Sequence, residues 1–510
     1  MNALKTWAIP LVLVSAFAAK AEIRLPNMLS DHAVLQRDRP IHIWGWSTPG
    51  SNMTVRFRRQ TVSAKSDALG KWSLYLQPEA AGGPDDLTVA GDGPEKTLTD
   101  VVVGDVWFAS GQSNMEMPLA GFPPMAFVKD GEKEIAAASN PNLRLLVVEH
   151  KVSDFPLNDV SPSSSWTACT PETAKRFSAV AYFFGREIAA DQKVPVGLID
   201  STWGGTPADS WTSLDTLGSS ASLLPDIASR AEFADRQSDL DATIAAEKEE
   251  DEAAKAVGKP APSHPWHPYE MSWVPAGLYN GMVAPFTPMT IKGFLWYQGE
   301  TNSAQDRAYA YGDLFSSLIK DWRSHFSQGN LPFLYVQISS FNSPGEDWGL
   351  VREEQRRTLS VANTAMIVTL DVGQADNVHP PDKQTVGSRL AMAARALVYA
   401  EPLAFQGPLY REATTETASD GTTGFRIWFD HGEGLHTHGR PVSGFEVAGA
   451  DHRFSAAQSH IEGNTVVVHS DTVSRPLYVR YGWMGVVSDN LYNAAELPAS
   501  TFTSETSPVH

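Results

Sequence analysis

Val101-Val102-Val103-Gly104-Asp105-Val106-Trp107-Phe108-Ala109-Ser110-Gly111-Gln112-Ser113-Asn114-Met115 is a run of β-branched and aromatic residues that feeds a Gly-Gln-Ser-Asn-Met turn. The run predicts a strand, and the turn, followed by helix-compatible sequence, predicts a sharp corner at its end. Such a corner lifts one hydroxyl to the carboxyl edge of a sheet, near the positive end of the next helix, where developing negative charge is favoured. Ser113 is therefore the candidate nucleophile. A serine hydroxyl is a poor nucleophile until a neighbouring base takes its proton. The polar loop Asp376-Asn377-Val378-His379-Pro380-Pro381, directly after the apolar run Ala365 to Leu370, offers one. Asp and His three apart on one loop can meet unaided, so Asp376 is expected to hold the imidazole of His379 while its other nitrogen faces Ser113.

Outward from this stretch, strand-like runs recur at Leu143 to Val148, Val196 to Ile199, Ile291 to Trp296, Phe333 to Ile338 and Ala365 to Leu370. Helical patterns lie between several of them, at Ala179 to Ala190, Ala308 to Phe326 and Val351 to Val361. Strands alternating with helices predict an α/β unit, a parallel sheet covered on both faces by right-handed crossovers. The polar motifs all follow strands, at the edge where an open α/β sheet places its active site.

Gly111-Gln112-Ser113-Asn114-Met115 paired with Asp376-x-x-His379-Pro380 resembles the SGNH hydrolases, and within them the branch of sialate O-acetylesterases and plant polysaccharide acetyl esterases. Val196 to Pro207, with its Trp203-Gly204-Gly205-Thr206, then Phe294 to Asn302, and near the end Asn490-Leu491-Tyr492-Asn493 match the same branch. The resemblance implies a flavodoxin-like three-layer domain. It places Ser113 on the nucleophile, His379 on the general base and Asp376 on its orienting acid. It also implies an oxyanion hole from the amides of Ser113 and Gly205, preferred to Gly204, and from the side chain of Gln298. The wider superfamily carries Gly-x-Asn-Asp in its third block, whereas this chain has Gly299-Glu300-Thr301-Asn302, so Asn302 is the reserve donor. Losing one such donor typically costs about 10²–10³ in rate. Trp203, Tyr279 and Asn302 are candidates for substrate contact, and Trp296 and Tyr297 for a stacking wall, although strand alternation makes at least one of the last two core.

At 510 residues, with 42% hydrophobic and 19% charged residues, the chain can hold several domains and a sizeable core. Its net charge of −19 argues against nucleic acid or an anionic membrane as partner. Met1 to Ala21 reads as a secretory signal: Lys5, an apolar stretch from Trp7 to Ala18, and Ala19-Lys20-Ala21 as cleavage site. A soluble periplasmic or secreted protein, with no membrane contact after cleavage, is expected. The single cysteine, Cys169, is expected to be a buried free thiol. Residues 22 to 100 alternate short apolar runs with turn signals and predict a small β-sandwich-like domain, in which Trp44, Trp46 and Trp72 are core residues or sugar stackers. The catalytic domain is expected over 101–402. A helical and Pro-rich insertion interrupts it near 215–275, with a solvated helix at Ala231 to Lys259. A second β-domain follows over 403–510, in which Gly432-Glu433-Gly434-Leu435-His436 reads as a hairpin turn.

His264 and His267 with Glu270 raise a metal site, but the prolines between them spoil ligand spacing, and no metal or cofactor is expected. Glu300 and Asp371 rival Asp376 as the acid; Glu300 would instead fix loops, and Asp371 ends a strand. The expected function is a serine esterase that removes O-acetyl groups from carbohydrate. Acetylated plant cell-wall saccharides such as xyloglucan or xylan are placed ahead of O-acetylated sialic acid, because no Arg cluster for a sialate carboxylate is evident. A non-catalytic carbohydrate-binding protein and a glycosidase built on Glu300 are the rivals from other classes.

Overall fold

The computed structural model describes residues 22–262, 264, 270–417, 423–487 and 491–506. The leader expected over Met1 to Ala21, His267 of the Pro-rich loop and Asn490 lie outside them. Among the described residues no helix is long and apolar enough to cross a membrane.

The quoted stretch forms the central strand. β1 (Lys96–Gly111) is buried from Val101 onward, as its β-branched and aromatic run requires. With β2 (Asn140–Val147), β3 (Thr167–Cys169), β4 (Val196–Thr202), β5 (Gly293–Tyr297), β6 (Phe333–Gln337) and β7 (Thr364–Val368) it makes a sheet of order β7-β6-β5-β1-β4-β2-β3. Every pair on this path is parallel except β2 with β3. The strand order reverses at β1, which places the turn after Gly111 in the crevice where ligands of doubly wound sheets bind.

Trp107 and Phe108, adjacent in β1, point to opposite faces. Trp107 meets Phe184 of α1 (Ala179–Gln192) edge-on at 5.0 Å, whereas Phe108 meets Trp322 of α3 (Tyr311–Phe326) at 5.7 Å. The sheet is therefore the middle of three layers. On the first face α1 pairs with α5 (Lys383–Leu397), where Gly387 lets the backbones close; a Cβ there would stand 2.6 Å from Phe183 Cβ. On the second, α3 pairs with α4 (Trp348–Arg357). The insertion forms the long helix α2 (Leu224–Ala256), started by Pro225 in its first turn. His264 returns to it through Asp251 at 3.0 Å.

The first half of β1 belongs to an amino-terminal β-unit. It pairs in parallel with Val34–Gln36 and in antiparallel with Gly82–Ala90, which continues to Asn52–Phe57 and Gln60–Lys65. β1 passes through residue 100 without a break, so eleven strands share one hydrogen-bonded sheet. Ile41–Trp46 and Lys71–Leu76 form a separate hairpin. Trp44 and Trp72 are buried, and Arg24 lies 3.9 Å over the ring of Trp46; all three tryptophans also line one cavity of about 550 Å³. Trp296 and Tyr297 are both fully buried and equally core. Cys169 is a buried free thiol whose pKa burial pushes up to about 11.

Two four-stranded antiparallel sheets form the carboxyl-terminal unit around a core of its own that includes Ile427, Val466, Val479 and Phe502. Arg352 of α4, fully buried, fastens this unit to the central domain. Its guanidinium donates to Ile338 O and Ser339 O on one side and to Met484 O and Gly485 O on the other.

Candidate active site

Gly111 ends β1 with φ +136°, and a Cβ there would stand 2.1 Å from the carbonyl oxygen of Tyr297 on β5. Only glycine fits this corner. Gln112, buried, donates its N–H to Tyr297 O at 3.0 Å and accepts from the Thr301 amide at 3.1 Å, which holds the corner against the loop after β5. Ser113 then opens a single helical turn, Ser113–Glu116, so its own N–H has no intrahelical acceptor.

His379 Nε2 lies 2.8 Å from Ser113 Oγ, although 266 residues separate them. The serine O–H can donate along this line to a neutral imidazole, the geometry for removing its proton. Burial, assisted by the Lys383 ammonium, lowers the His379 pKa to about 4 and favours that neutral form. Phe122 meets the ring edge-on at 5.5 Å. Asp376 does not take the place expected of it. It is exposed and makes no hydrogen bond to the His379 ring; within the loop the His379 N–H donates instead to Asn377 Oδ1 at 2.9 Å. A backbone that turns Asn377 inward as a local cap turns the preceding residue out to water.

What holds the two halves together is a buried chain of polar groups. Asn114 Nδ2 donates to Glu300 Oε1 at 2.5 Å and to Val378 O at 2.9 Å, while Lys383 Nζ donates to Asn114 Oδ1 at 2.5 Å. The residue after the nucleophile thus clamps the residue before the base. Burial raises the Glu300 pKa and lowers that of Lys383 to about 7. Glu300 holds the Asn114 amide, and Asp371 is engaged by the two terminal guanidinium nitrogens of Arg389 at 2.7 and 2.6 Å.

The Trp203-Gly204-Gly205 corner follows β4 and lies beside the serine: a Cβ on Gly204 would stand 3.1 Å from Ser113 Cβ. Gly204 donates its N–H to Glu116 Oε2 at 2.6 Å, and Trp273 Nε1 donates to Gly205 O at 2.6 Å. The peptide between these glycines is held from both ends, and the Gly205 N–H has no acceptor among the described residues. Of the two amides, that of Gly204 is therefore occupied by Glu116 and that of Gly205 is left open to donate to a ligand oxygen. Gln298 is fully buried, with its amide donating to Asn302 Oδ1 at 2.6 Å and to Thr206 O at 3.3 Å. Asn302 Oδ1 also accepts from the Ala208 N–H at 2.9 Å. Of the expected substrate contacts, Trp203 stacks on His150 with ring centroids 4.1 Å apart, and His150 in turn lies 3.1 Å from Glu116. Tyr279 is buried in the wall of a cavity of about 550 Å³ whose lining includes neither Ser113 nor His379.

Asn114 lies within the quoted motif, Glu116 one residue beyond it and Lys383 two residues beyond Pro381, and their charge or amide beside a nucleophile or a base was the available signal. His150 and Trp273 come from distant loops and carry no local signal.

A serine and an imidazole thus stand at hydrogen-bond distance at the switch point of a doubly wound parallel sheet, beside a glycine amide with no acceptor among the described residues, in a protein of the α/β class. Residues 265–396 match the family described as carbohydrate esterase, sialic acid-specific acetylesterase. The sialate O-acetylesterase of Homo sapiens is 31% identical over 446 residues, covering 79% of this chain and 76% of its own, and that of Mus musculus is 31% identical over 445 residues, covering 79% of each. A carbohydrate acetylesterase from Xanthomonas citri superposes with a TM-score of 0.80 at 36% identity, over 95% of this chain and all of its own. The chain belongs to the sialate O-acetylesterase family of carbohydrate esterases, and it is a carboxylic ester hydrolase acting on acetylated carbohydrate.

Proposed function

We propose that Ser113 and His379 remove O-acetyl groups from a saccharide through an acetyl-enzyme. Ser113 Oγ attacks the acetyl carbonyl as His379 Nε2 takes its proton, and the same proton passes to the departing sugar hydroxyl. Water, deprotonated by His379, then releases acetate. The Ser113 and Gly205 amides receive the oxyanion in both steps, with Gln298 as third donor once it gives up its long contact to Thr206. The observation that carries this reading is the 2.8 Å contact between His379 Nε2 and Ser113 Oγ. Asp376, on the loop that carries the base, contributes less than a triad acid would, because its carboxylate does not touch the ring.

For the sugar, the names of the curated relatives support O-acetylated sialic acid, and they fit this chain at least as well as the plant saccharides placed first from the sequence. A second reading, a neutral acetylated oligosaccharide such as one from xyloglucan or xylan, is favoured by charge. Arg307, which lies over the Trp273 ring, is already paired with Asp209 at 3.1 Å, and Glu116 is a further carboxylate beside the serine. The test is acetate release from O-acetylated sialic acid and from acetylated xylan and xyloglucan oligosaccharides, side by side. A higher kcat/KM on the sialate supports the first substrate reading and a higher value on the neutral oligosaccharides the second. Release from neither would contradict the esterase reading itself.

A further inference from the structure

We propose that His436, His438 and Glu496 form a binding site for one divalent transition-metal ion of the zinc class. The site lies in the carboxyl-terminal β-unit, apart from Ser113, and the inference is independent of the esterase reading. One ligand atom from each of the three side chains lies within 4.8 Å of the other two.

The distances within this group carry the argument. His436 Nε2 stands 3.4 Å from one carboxylate oxygen of Glu496, and His438 Nε2 stands 3.5 Å from the other. Charge-assisted hydrogen bonds between such groups close to about 2.7–2.9 Å. These three side chains converge without reaching that length. Ligand atoms about 2.0–2.2 Å from a tetrahedral metal are about 3.4 Å from one another; each imidazole stands at that distance from its own oxygen of Glu496, and a small rotation of the carboxylate brings one oxygen toward both.

The imidazole of His436 is also oriented for ligation. Its Nδ1 faces Gly434 O at 3.2 Å, which places the hydrogen on that nitrogen and leaves the lone pair on Nε2, directed at Glu496. The backbone beneath is fixed on both sides. His436 and Tyr492 exchange both backbone hydrogen bonds, at 3.0 and 2.9 Å. Glu496 N–H donates to Asn493 O at 3.0 Å, and the buried Asn493 side chain holds Gln406 O and His431 O at 3.0 Å each. His436 and Glu496 therefore sit on braced segments, and His438 follows two residues after the first.

The donor set selects the ion. Two imidazoles and one carboxylate suit zinc and its neighbours, whereas calcium and magnesium require oxygen ligands, and no thiol is present to favour copper(I) or an iron–sulfur cluster. Three protein ligands leave a fourth position for water. A metal here would staple the 431–438 turn to the 491–497 segment.

The experiment uses the untagged full chain, stripped with EDTA and dialysed, and titrates it calorimetrically with zinc chloride. The wild type is expected to take up one zinc ion per chain, with a melting temperature raised by zinc and unmoved by equimolar magnesium. Glu496→Ala should bind at least about tenfold more weakly, and the His436→Ala, His438→Ala double variant should lose the site. Glu496 and His438 are exposed and His436 partly so, and unchanged far-ultraviolet circular dichroism checks that the variants remain folded. No zinc uptake by the wild type, equal uptake by the folded double variant, or an equal response to magnesium would each overturn the proposal.

Discussion

Glu116 links the corner after β4 to the turn that carries Ser113. One of its oxygens fixes the Gly204 amide and the other faces His150, which stacks on Trp203. Glu116→Ala should lower kcat by about 10–10², less than the loss of an oxyanion donor itself, with KM changed less than about threefold. Glu116→Gln keeps a carbonyl acceptor for Gly204 and should restore most of kcat; steady-state kinetics of the pair decides. Asp376→Ala should cost no more than about tenfold, against about 10⁴ for the acid of a complete triad. A loss of 10³ or more would show that the carboxylate reaches the ring during turnover. The pH profile follows from His379. Its pKa is lowered to about 4 by burial and then by Lys383, so the base stays neutral as the pH falls. The acid limb of kcat/KM should lie near that value and below the ordinary imidazole pKa of about 6.5. Lys383→Met removes the neighbouring positive charge and should move the limb upward; a wild-type limb at 6.5 or above would contradict this account of the site.

At the level of elements, the corner after β1 is the least tolerant point. Gly111→Ala places a methyl group against Tyr297 O in a backbone region that L-residues avoid, and it should destabilise the fold by at least about 2 kcal/mol in denaturant titration, with loss of activity. This corner was legible because its signals are local: a β-branched run, a glycine at the bend, a serine after it. The central strands and α1 were legible for the same reason, since their periodicity and caps lie within a few residues. Ser178, for instance, caps α1 by accepting from the Ala181 amide at 3.1 Å. Less was visible where tertiary context decides. The short edge strand β3 and the helix α5, which carries Lys383, follow no strong pattern, and Tyr279 sits beside a suggestive Asn-Gly pair yet is directed into another cavity. The Asp-x-x-His spacing announced a catalytic loop, but spacing does not fix which way each side chain turns. Asn377 Oδ1 takes the local backbone bond to His379, and Asp376 faces solvent.

Across the whole molecule, the carboxyl-terminal β-unit braces the catalytic loop at one remove. Gly485 O accepts from the Phe341 amide, Ala375 O accepts from the Asn342 amide at 3.1 Å, and Gly373 packs against the backbone of Ser340. Arg352 anchors the first of these contacts from inside the protein, where burial alone lowers its pKa to about 9. Arg352→Leu leaves several carbonyls without donors, each costing about 1–3 kcal/mol. Hydrogen exchange should then accelerate at 339–345 and 482–487, and kcat should fall although no catalytic side chain has changed. Unchanged exchange in both segments would show that the two units do not depend on this contact. The central claim is that Ser113, activated by His379, is the acetyl acceptor. Its most direct test is kcat/KM for acetate release from an acetylated saccharide by the wild type and by Ser113→Ala. A fall of about 10⁴ or more in the folded variant is the predicted result, and activity within about tenfold of wild type would contradict it.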